Sequence, residues 1–359
     1  MPPAPRIHAV ILAGGAGERF WPASRSTHPK PLLQVVGERS LLGATADRAR
    51  AFADELWLVC GDPYARAMRA EALLPARRVL VEPARRNTAM AVALAATRIA
   101  AEDPQAVLAI LPADHHIPDR RAFAADMRRA AKAAREASVL VTLGVEPSRP
   151  DTGYGYIQAG RPVGRRHPRL RAVKRFVEKP DQARARRYLR TGGYLWNAGI
   201  FVWTAATILE EIEAWMPDLH RSLAPLRRAG RRPGKEVLAR AYRRAPSQAI
   251  DTGVMEKSRR VWTLPVRWRW SDVGTWESLA TELGVAPGRS RAVGGSLVHD
   301  DAGGNLVWGR PERPVALLGV SGLAVVDTGD ALLVTRLDRS GDVRGIVKAL
   351  KKRGRSDVT

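Results

Sequence analysis

The sequence predicts an α/β fold: a doubly wound, mixed but mostly parallel sheet, followed by a smaller β-rich part. Three observations carry this. Residues 1–145 alternate short apolar runs with Ala-rich helical patterns, the signature of β-α-β units. The first apolar run flows into a glycine-rich turn, Leu12-Ala13-Gly14-Gly15-Ala16-Gly17-Glu18-Arg19. From about residue 287 the helical patterns give way to short strand-like runs.

Taken in order, the first strands are expected at Ile7–Leu12, Leu56–Cys60, Val79–Val81, Val107–Leu111 and Val139–Leu143. Helical patterns fall between them near 41–52, 63–74, 88–101 and 120–136. In such sheets ligands sit beyond the carboxyl ends of the strands. The glycine turn and Leu111-Pro112-Ala113-Asp114 both stand at such ends and are expected to face one crevice. Further on, Tyr154–Gln158, Val173–Glu178 and Ala198–Trp203 read as strands, and 204–215, 217–228 and 235–244 as helices, with an Arg/Pro/Gly-rich loop at 229–234. Ser296–Val298, Leu306–Trp308, Val315–Val320, Leu323–Asp327 and Ala331–Arg336 read as the late strands. Pro287-Gly288 marks a boundary, giving domains 1–285 and 286–359, and Lys348–Arg355 reads as a frayed basic tail.

At 359 residues the chain can hold one large α/β domain and a smaller one. No apolar stretch reaches the length of a membrane-spanning helix, and the N-terminal run lacks a cleavage-like site. Cys60 is the single cysteine, which suits a reducing cytoplasm. The formal net charge of +23 invites a nucleic-acid reading. Only nine of the 59 basic residues are lysines, and the arginines are scattered over helix faces such as Arg128-Arg129 and Arg184–Arg190. With no nucleic-acid motif beside them, no specific nucleic acid and no membrane are expected as partners. The positive field favours anionic ligands.

Glycines let backbone N–H groups approach an anion, and Arg19 and Lys30 add two cations to the same loop. This is a device for holding a polyphosphate; a plain glycine turn is the alternative. The GxxxxGK[ST] loop is absent because Lys30 lies between Pro29 and Pro31, and the GxGxxG pattern fails at Phe20. Asp114 ends a strand in Leu-Pro-Ala-Asp-His-His and Asp272 lies in Trp-Ser-Asp-Val-Gly-Thr-Trp. Two such carboxylates converging on one crevice would suit Mg²⁺, which takes one or two carboxylates plus phosphate oxygens; a turn or cap role fits Asp114 equally. Asn87-Thr88-Ala89 opens a helix, so its N–H groups would be exposed to a ligand unless it is a simple cap. Gly155 in Thr-Gly-Tyr-Gly-Tyr156, Glu178-Lys179-Pro180 and Asn197-Ala198-Gly199 offer close approach, sugar-hydroxyl partners and a phosphate cation. A surface ion pair accounts for Glu178-Lys179 on its own.

The ordered set resembles the mannose-1-phosphate guanylyltransferase family, within the sugar nucleotidyltransferases. The resemblance rests on the glycine loop with Arg19 and Lys30, on Asn87-Thr88-Ala89, Trp196-Asn197-Ala198-Gly199, Ile250-Asp251 through Glu256-Lys257, and Ser271-Asp272-Val273-Gly274-Thr275-Trp276. It covers roughly residues 7–285 and, more weakly, the rest. It implies a Rossmann-like catalytic domain with a small left-handed β-helix behind it. It implies that Leu12, Ala13, Gly14, Gly15, Gly17, Glu18, Arg19, Asn87, Thr88, Ala89, Pro112 and Asp114 hold GTP, with Arg19, Lys30 and Asp114 catalytic. Asp114 and Asp272 would hold Mg²⁺, and Gly155, Tyr156, Glu178, Lys179, Asn197 and Gly199 the mannose 1-phosphate. Met90 departs from the proline often found after Asn-Thr-Ala, which bears on the guanine assignment.

The expected reaction is in-line attack of the sugar phosphate on the α-phosphate of GTP, in a cytoplasmic homo-oligomer, a dimer. Arg19 and Lys30 are expected on an exposed loop, and removal of residues 287–359 is expected to leave the crevice residues intact. No fused phosphomannose isomerase domain is expected. Alternatives are a sister enzyme for a manno-heptose or glucose 1-phosphate and a non-catalytic regulatory relative. A pyrophosphate-release assay separates them.

Overall fold

The computed structural model describes residues 6–15, 17–230 and 233–359. Ala16 of the glycine loop, and Arg231 and Arg232 of the expected loop at 229–234, lie outside the described residues. The chain forms two compact units. The first gathers the residues up to Gly14 with 45–112 and 117–270; the second gathers 15–44, 113–116 and 271–359.

The first unit is built on nine strands: β1 (Ile7–Ala13), β2 (Glu55–Gly61), β3 (Val79–Glu82), β4 (Val107–Pro112), β5 (Leu140–Val145), β6 (Tyr156–Pro162), β7 (Arg171–Val177), β8 (Tyr194–Thr204) and β9 (Val261–Val266). They form one sheet in the order β3-β2-β1-β4-β8-β5-β9-β7-β6. The parallel block β3-β2-β1-β4 is the doubly wound half expected from the alternation. β8 then runs antiparallel between β4 and β5, so the sheet is mixed rather than mostly parallel. β1, β4 and most of β5 are buried on both faces, which is why they read as nearly continuous apolar runs, broken only by His8 and Thr142.

The helices are α1 (Leu41–Arg50), α2 (Ala65–Glu71), α3 (Asn87–Ala100), α4 (Arg120–Ala137), α5 (Gln182–Thr191), α6 (Ala205–Trp215), α7 (Pro217–Ser222), α8 (Ala224–Ala229), α9 (Lys235–Arg244), α10 (Trp276–Glu282) and α11 (Val343–Lys352). Alanine, the best helix former, fills α3 and α4. Asp119 caps α4, its side chain accepting from the Ala122 N–H at 2.9 Å. The single helix expected at 217–228 is two, α7 and α8, the second with proline in its first turn. Val10, Trp57, Leu108, Leu140, Trp203 and Val254 belong to the main core of this unit.

The second unit carries β10 (Arg291–Val293), β11 (Leu297–Asp300), β12 (Leu306–Trp308), β13 (Val315–Leu318), β14 (Leu323–Asp327) and β15 (Leu332–Arg336). Short parallel pairs, β10 with β12, β12 with β14 and β11 with β13, stack into rungs, and β15 closes antiparallel on β14. The frayed tail expected at Lys348–Arg355 is instead largely α11, whose Val343 and Val347 are buried. Phe20, Trp21, Leu33 and Val35 share a core with Trp276, Leu306, Ala324, Val326, Val343 and Val347.

Candidate active site

Three groups of polar side chains stand where the sequence points. Within the second unit, Lys30 opens the 3₁₀ turn Lys30–Leu32 and is 4% exposed, not on an exposed loop as expected. Its ammonium donates to Asp114 Oδ2 at 2.8 Å and to the Asp272 carbonyl at 2.8 Å, and lies 5.4 Å from the centre of the Phe20 ring. Burial pushes the Asp114 carboxyl up, but the Lys30 ammonium, helped by His115, more than reverses this and holds it below the usual carboxylate range. Gly17 sits beside this lysine with φ +66°, where a Cβ would lie 2.3 Å from Lys30 Cβ. Only glycine fits there. Asp272 Oδ1 accepts from the Gly274 N–H at 3.1 Å. Arg19 is half-buried in the turn Glu18–Phe20, and Glu18 pairs with Lys351 of α11 at 3.0 Å. Gly15 is exposed.

In the first unit, Leu12 and Pro112 are in register on adjacent strands, with Ala13 buried at the end of β1. Gly14 faces Glu82, whose Oε2 lies 3.3 Å from where a Cβ would stand. The Tyr242 hydroxyl donates to Glu82 Oε1 at 3.0 Å, yet burial still pushes the Glu82 carboxyl up. Asn87 takes φ +61° and accepts from the Thr88 N–H at 2.8 Å. The Ala89 N–H donates to the Gln248 carbonyl at 3.1 Å, and Thr88 Oγ1 accepts from the Ile250 N–H at 2.9 Å. Two helix-start donors expected to be exposed are therefore engaged by the protein, and the 87–89 element holds the 248–250 segment.

That segment leads to the third group. Asn197 is buried and fixed on both sides of its amide. Its Oδ1 accepts from Thr142 Oγ1 and the Gly199 N–H, both at 3.0 Å, and its Nδ2 donates to Asp251 Oδ1 at 3.0 Å. Burial, with the neighbouring Glu178 charge, pushes Asp251 up to about 6. Glu178 pairs with Lys179, and its N–H donates to the Glu256 carboxylate at 2.8 Å. Lys179 takes a left-handed φ of +47°, a conformation a non-glycine residue adopts only when its surroundings require it. A Cβ on Gly155 would come within 2.7 Å of Glu178 Oε2 and 3.3 Å of Asn197 Cβ. Gly155, Glu178, Lys179, Asn197 and Gly199 are thus gathered. Tyr156 is fully buried, its hydroxyl donating to the Asp151 carbonyl at 3.0 Å.

Asp251 and Glu256 had no assigned role in the sequence reading, although their stretch, Ile250 to Lys257, stood out. Tyr242 and Thr142 give no signal, since each sits among ordinary helix or strand residues, and Glu82 leads the loop to Asn87 without a role of its own.

Gly17 against a buried lysine that pairs with a half-buried aspartate, and a separate cluster of Asn, Asp and Glu, fit a phosphoryl-handling α/β enzyme. The chain belongs to the nucleotidyl transferase family, whose model matches residues 8–283, and residues 295–350 match the MannoseP isomerase/GMP-like beta-helix domain. It is similar to the xanthan biosynthesis protein XanB of Xanthomonas campestris pv. campestris, with 38% identity over 98% of this chain and 74% of that protein. It is 35% identical to the mannose-1-phosphate guanylyltransferase of Escherichia coli, over 97% of this chain and 74% of that one. The crystal structure of mannose-1-phosphate geranyltransferase from Thermus thermophilus superimposes with a TM-score of 0.87 at 36% identity, over 96% of this chain and 99% of that chain.

Proposed function

We propose that the protein transfers GMP from GTP to mannose 1-phosphate, giving GDP-mannose and pyrophosphate. The observation that carries this is Lys30, a buried cation against Gly17, a position only glycine fits, in a chain 35% identical to the Escherichia coli guanylyltransferase. An oxygen of the sugar phosphate attacks the α-phosphorus of GTP, the bond to the β-phosphate oxygen breaks, and pyrophosphate leaves. No protein nucleophile is needed.

The second unit's groups are assigned the polyphosphate. Lys30 and Arg19 offset charge on the transferring phosphoryl group, and Gly15 and Gly17 keep the backbone open to it. The first unit's Asn197, Glu178 and Asp251 are assigned the sugar hydroxyls, with Lys179 on the sugar phosphate. Asn87, Thr88 and Ala89 are assigned to the nucleotide, and they also fix the 248–250 segment.

Asp114 and Asp272 fit Mg²⁺. Both offer hard carboxylate oxygens, and Lys30 bonds the side chain of one and the main chain of the other. Among the described residues no group of three or more His, Cys, Asp or Glu is placed to hold a metal ion by itself, so substrate and water oxygens would complete the shell. When bound, the ion supplies charge neutralisation on the phosphates. Lys30 and Arg19 do the same from fixed positions and bring together two anions that repel each other.

In this reading residues 1–285 carry the transferase chemistry and 286–359 support it. The protein works as a cytoplasmic homodimer. Buried, unpaired Cys60 suits a reducing compartment, and among the described residues no helix is long and apolar enough to cross a membrane. The test is pyrophosphate release from each NTP with each sugar 1-phosphate. GTP with mannose 1-phosphate should be the best pair. A better glucose or manno-heptose 1-phosphate would make it a sister enzyme, and no release with any pair would make it a regulatory relative.

A further inference from the structure

A groove of about 770 Å³ opens on the first unit beside α4, the start of β7 and the end of β9. Four guanidinium groups line it: Arg129, Arg169, Arg171 and Arg267. Only two carboxylates accompany them, and both are committed. Asp119 caps α4. Asp126 is buried, and its Oδ1 accepts from Arg129 and Arg169, each at 2.7 Å, while its Oδ2 accepts from Trp268 Nε1 at 3.2 Å. Arg171 and Arg267 are exposed and, among the described residues, have no carboxylate partner.

Like charges brought together repel. Here one buried aspartate holds two guanidiniums in place, and each guanidinium keeps donors beyond the bond it gives to Asp126. Guanidinium forks match phosphate oxygens in pairs. Pro168 and Pro265 add apolar wall, suited to a ring rather than to bulk water. The volume falls in the range of small-molecule sites.

The groove is distinct from the sugar cluster. β7 begins with Arg171 in the groove and ends at Val177, beside Glu178 in the cluster. Seven residues of strand separate the two by roughly 20 Å.

We propose that this groove binds a small-molecule pyrophosphate ester, held by Arg129, Arg169, Arg171 and Arg267. The proposal does not depend on the transfer reaction. It is tested by titration calorimetry with two probes, GDP and inorganic tripolyphosphate. Wild-type protein should show two binding events per chain with at least one probe. R171E/R267E should lose one event and keep its basal kcat/KM, and K30M should lose the other and keep the groove event. R171Q/R267Q, which removes charge without reversing it, should weaken the groove event at least tenfold. R184E/R187E on α5, a control on exposed arginines outside the groove, should leave it unchanged. A single event that survives in R171E/R267E overturns the proposal. So does an equal loss in the α5 control, or binding confined to heparin or duplex DNA, which would make the groove a macromolecular surface. Because the groove event is read without turnover, its absence and the absence of transferase activity are separate results.

Discussion

Lys30 Nζ bridges Asp114 Oδ2 and the main-chain carbonyl of Asp272, two residues 158 positions apart in sequence, at 2.8 Å to each. One buried cation thus ties together both aspartates assigned to the metal. Removing it affects charge, geometry and stability together.

Lys30→Ala should lower kcat/KM by on the order of 10²-fold or more, as for lost transition-state electrostatics. It should also lower stability by about 1–3 kcal/mol, because Asp114 loses the partner that offsets its burial. Arg19→Ala, at a half-buried position, should show the kinetic loss with a smaller thermal one. Steady-state kinetics and thermal melts on both variants check this; near-normal turnover in both would remove them from the site.

Asp114→Asn and Asp272→Asn should each raise the Mg²⁺ concentration needed for half-maximal activity. The effects should be less than additive in the double variant if, as proposed, the two aspartates share one ion. Metal titration of activity reads this directly, and full metal affinity in either single variant would make that aspartate structural.

Gly17→Ala should be costly in the fold and the reaction at once. Its φ of +66° and the 2.3 Å approach to Lys30 Cβ force the lysine to move, and the strain alone is worth about 1 kcal/mol or more. Gly155→Ala should act differently, raising KM for the sugar phosphate more than it lowers kcat, because its Cβ meets Glu178 and Asn197. Separate KM values for the two substrates distinguish these patterns.

Asp251 gives a pH signature. Its pKa is raised to about 6 in the folded protein, so between about pH 4 and 6 the native state binds a proton that the unfolded chain has released. Stability therefore falls as pH rises through this window, and the cost is fully present above it. Asp251→Asn, which can still accept from Asn197, should be more stable than wild type at neutral pH. The gap should close by about pH 4. Melting temperatures across that range check the sign; a gap that persists at low pH would count against it.

Deleting α11 and the residues after it should abolish activity as well as lower the melting temperature. The sequence reading expected the crevice to survive loss of residues 287–359. The structure places Phe20, Trp21, Leu33 and Val35 in one core with Val343 and Val347, and Trp21 Nε1 donates to the Val358 carbonyl at 2.6 Å. The glycine loop is thereby held from the far end of the chain. A truncated protein with intact kcat would refute this.

Local signals were legible and long-range ones were not. β1, β2, β4 and α3 fall within two residues of their expected ends, because their apolar runs and Ala-rich stretches are unambiguous. β9 is not legible as a strand, because Pro265 inside it argues against one. α11 was hidden behind Lys348, Lys351, Lys352 and Arg353, although Val343, Val347 and Leu350 recur at helical spacing. The antiparallel placement of β8 depends on pairing with strands more than fifty residues away, which no local pattern encodes. In the site, Gly17, Lys30 and Asp114 announced themselves through their motifs. Asp251 stands in a motif too, but its role is not legible there, because it lies in a hydrogen bond to Asn197, 54 residues away.

The shared core of the second unit also sets a clock. Phe20 to Val35 leave the ribosome early, but their packing partners from Val273 to Val347 are made hundreds of residues later. At ordinary rates of synthesis that is a delay of about 10–60 s. Throughout it the loop bearing Lys30 has no core to rest on, so a nascent chain can complete the parallel half of its sheet while remaining chemically silent. In the proposed function, competence waits for Val343 and Val347 of α11, made long after the loop bearing Lys30.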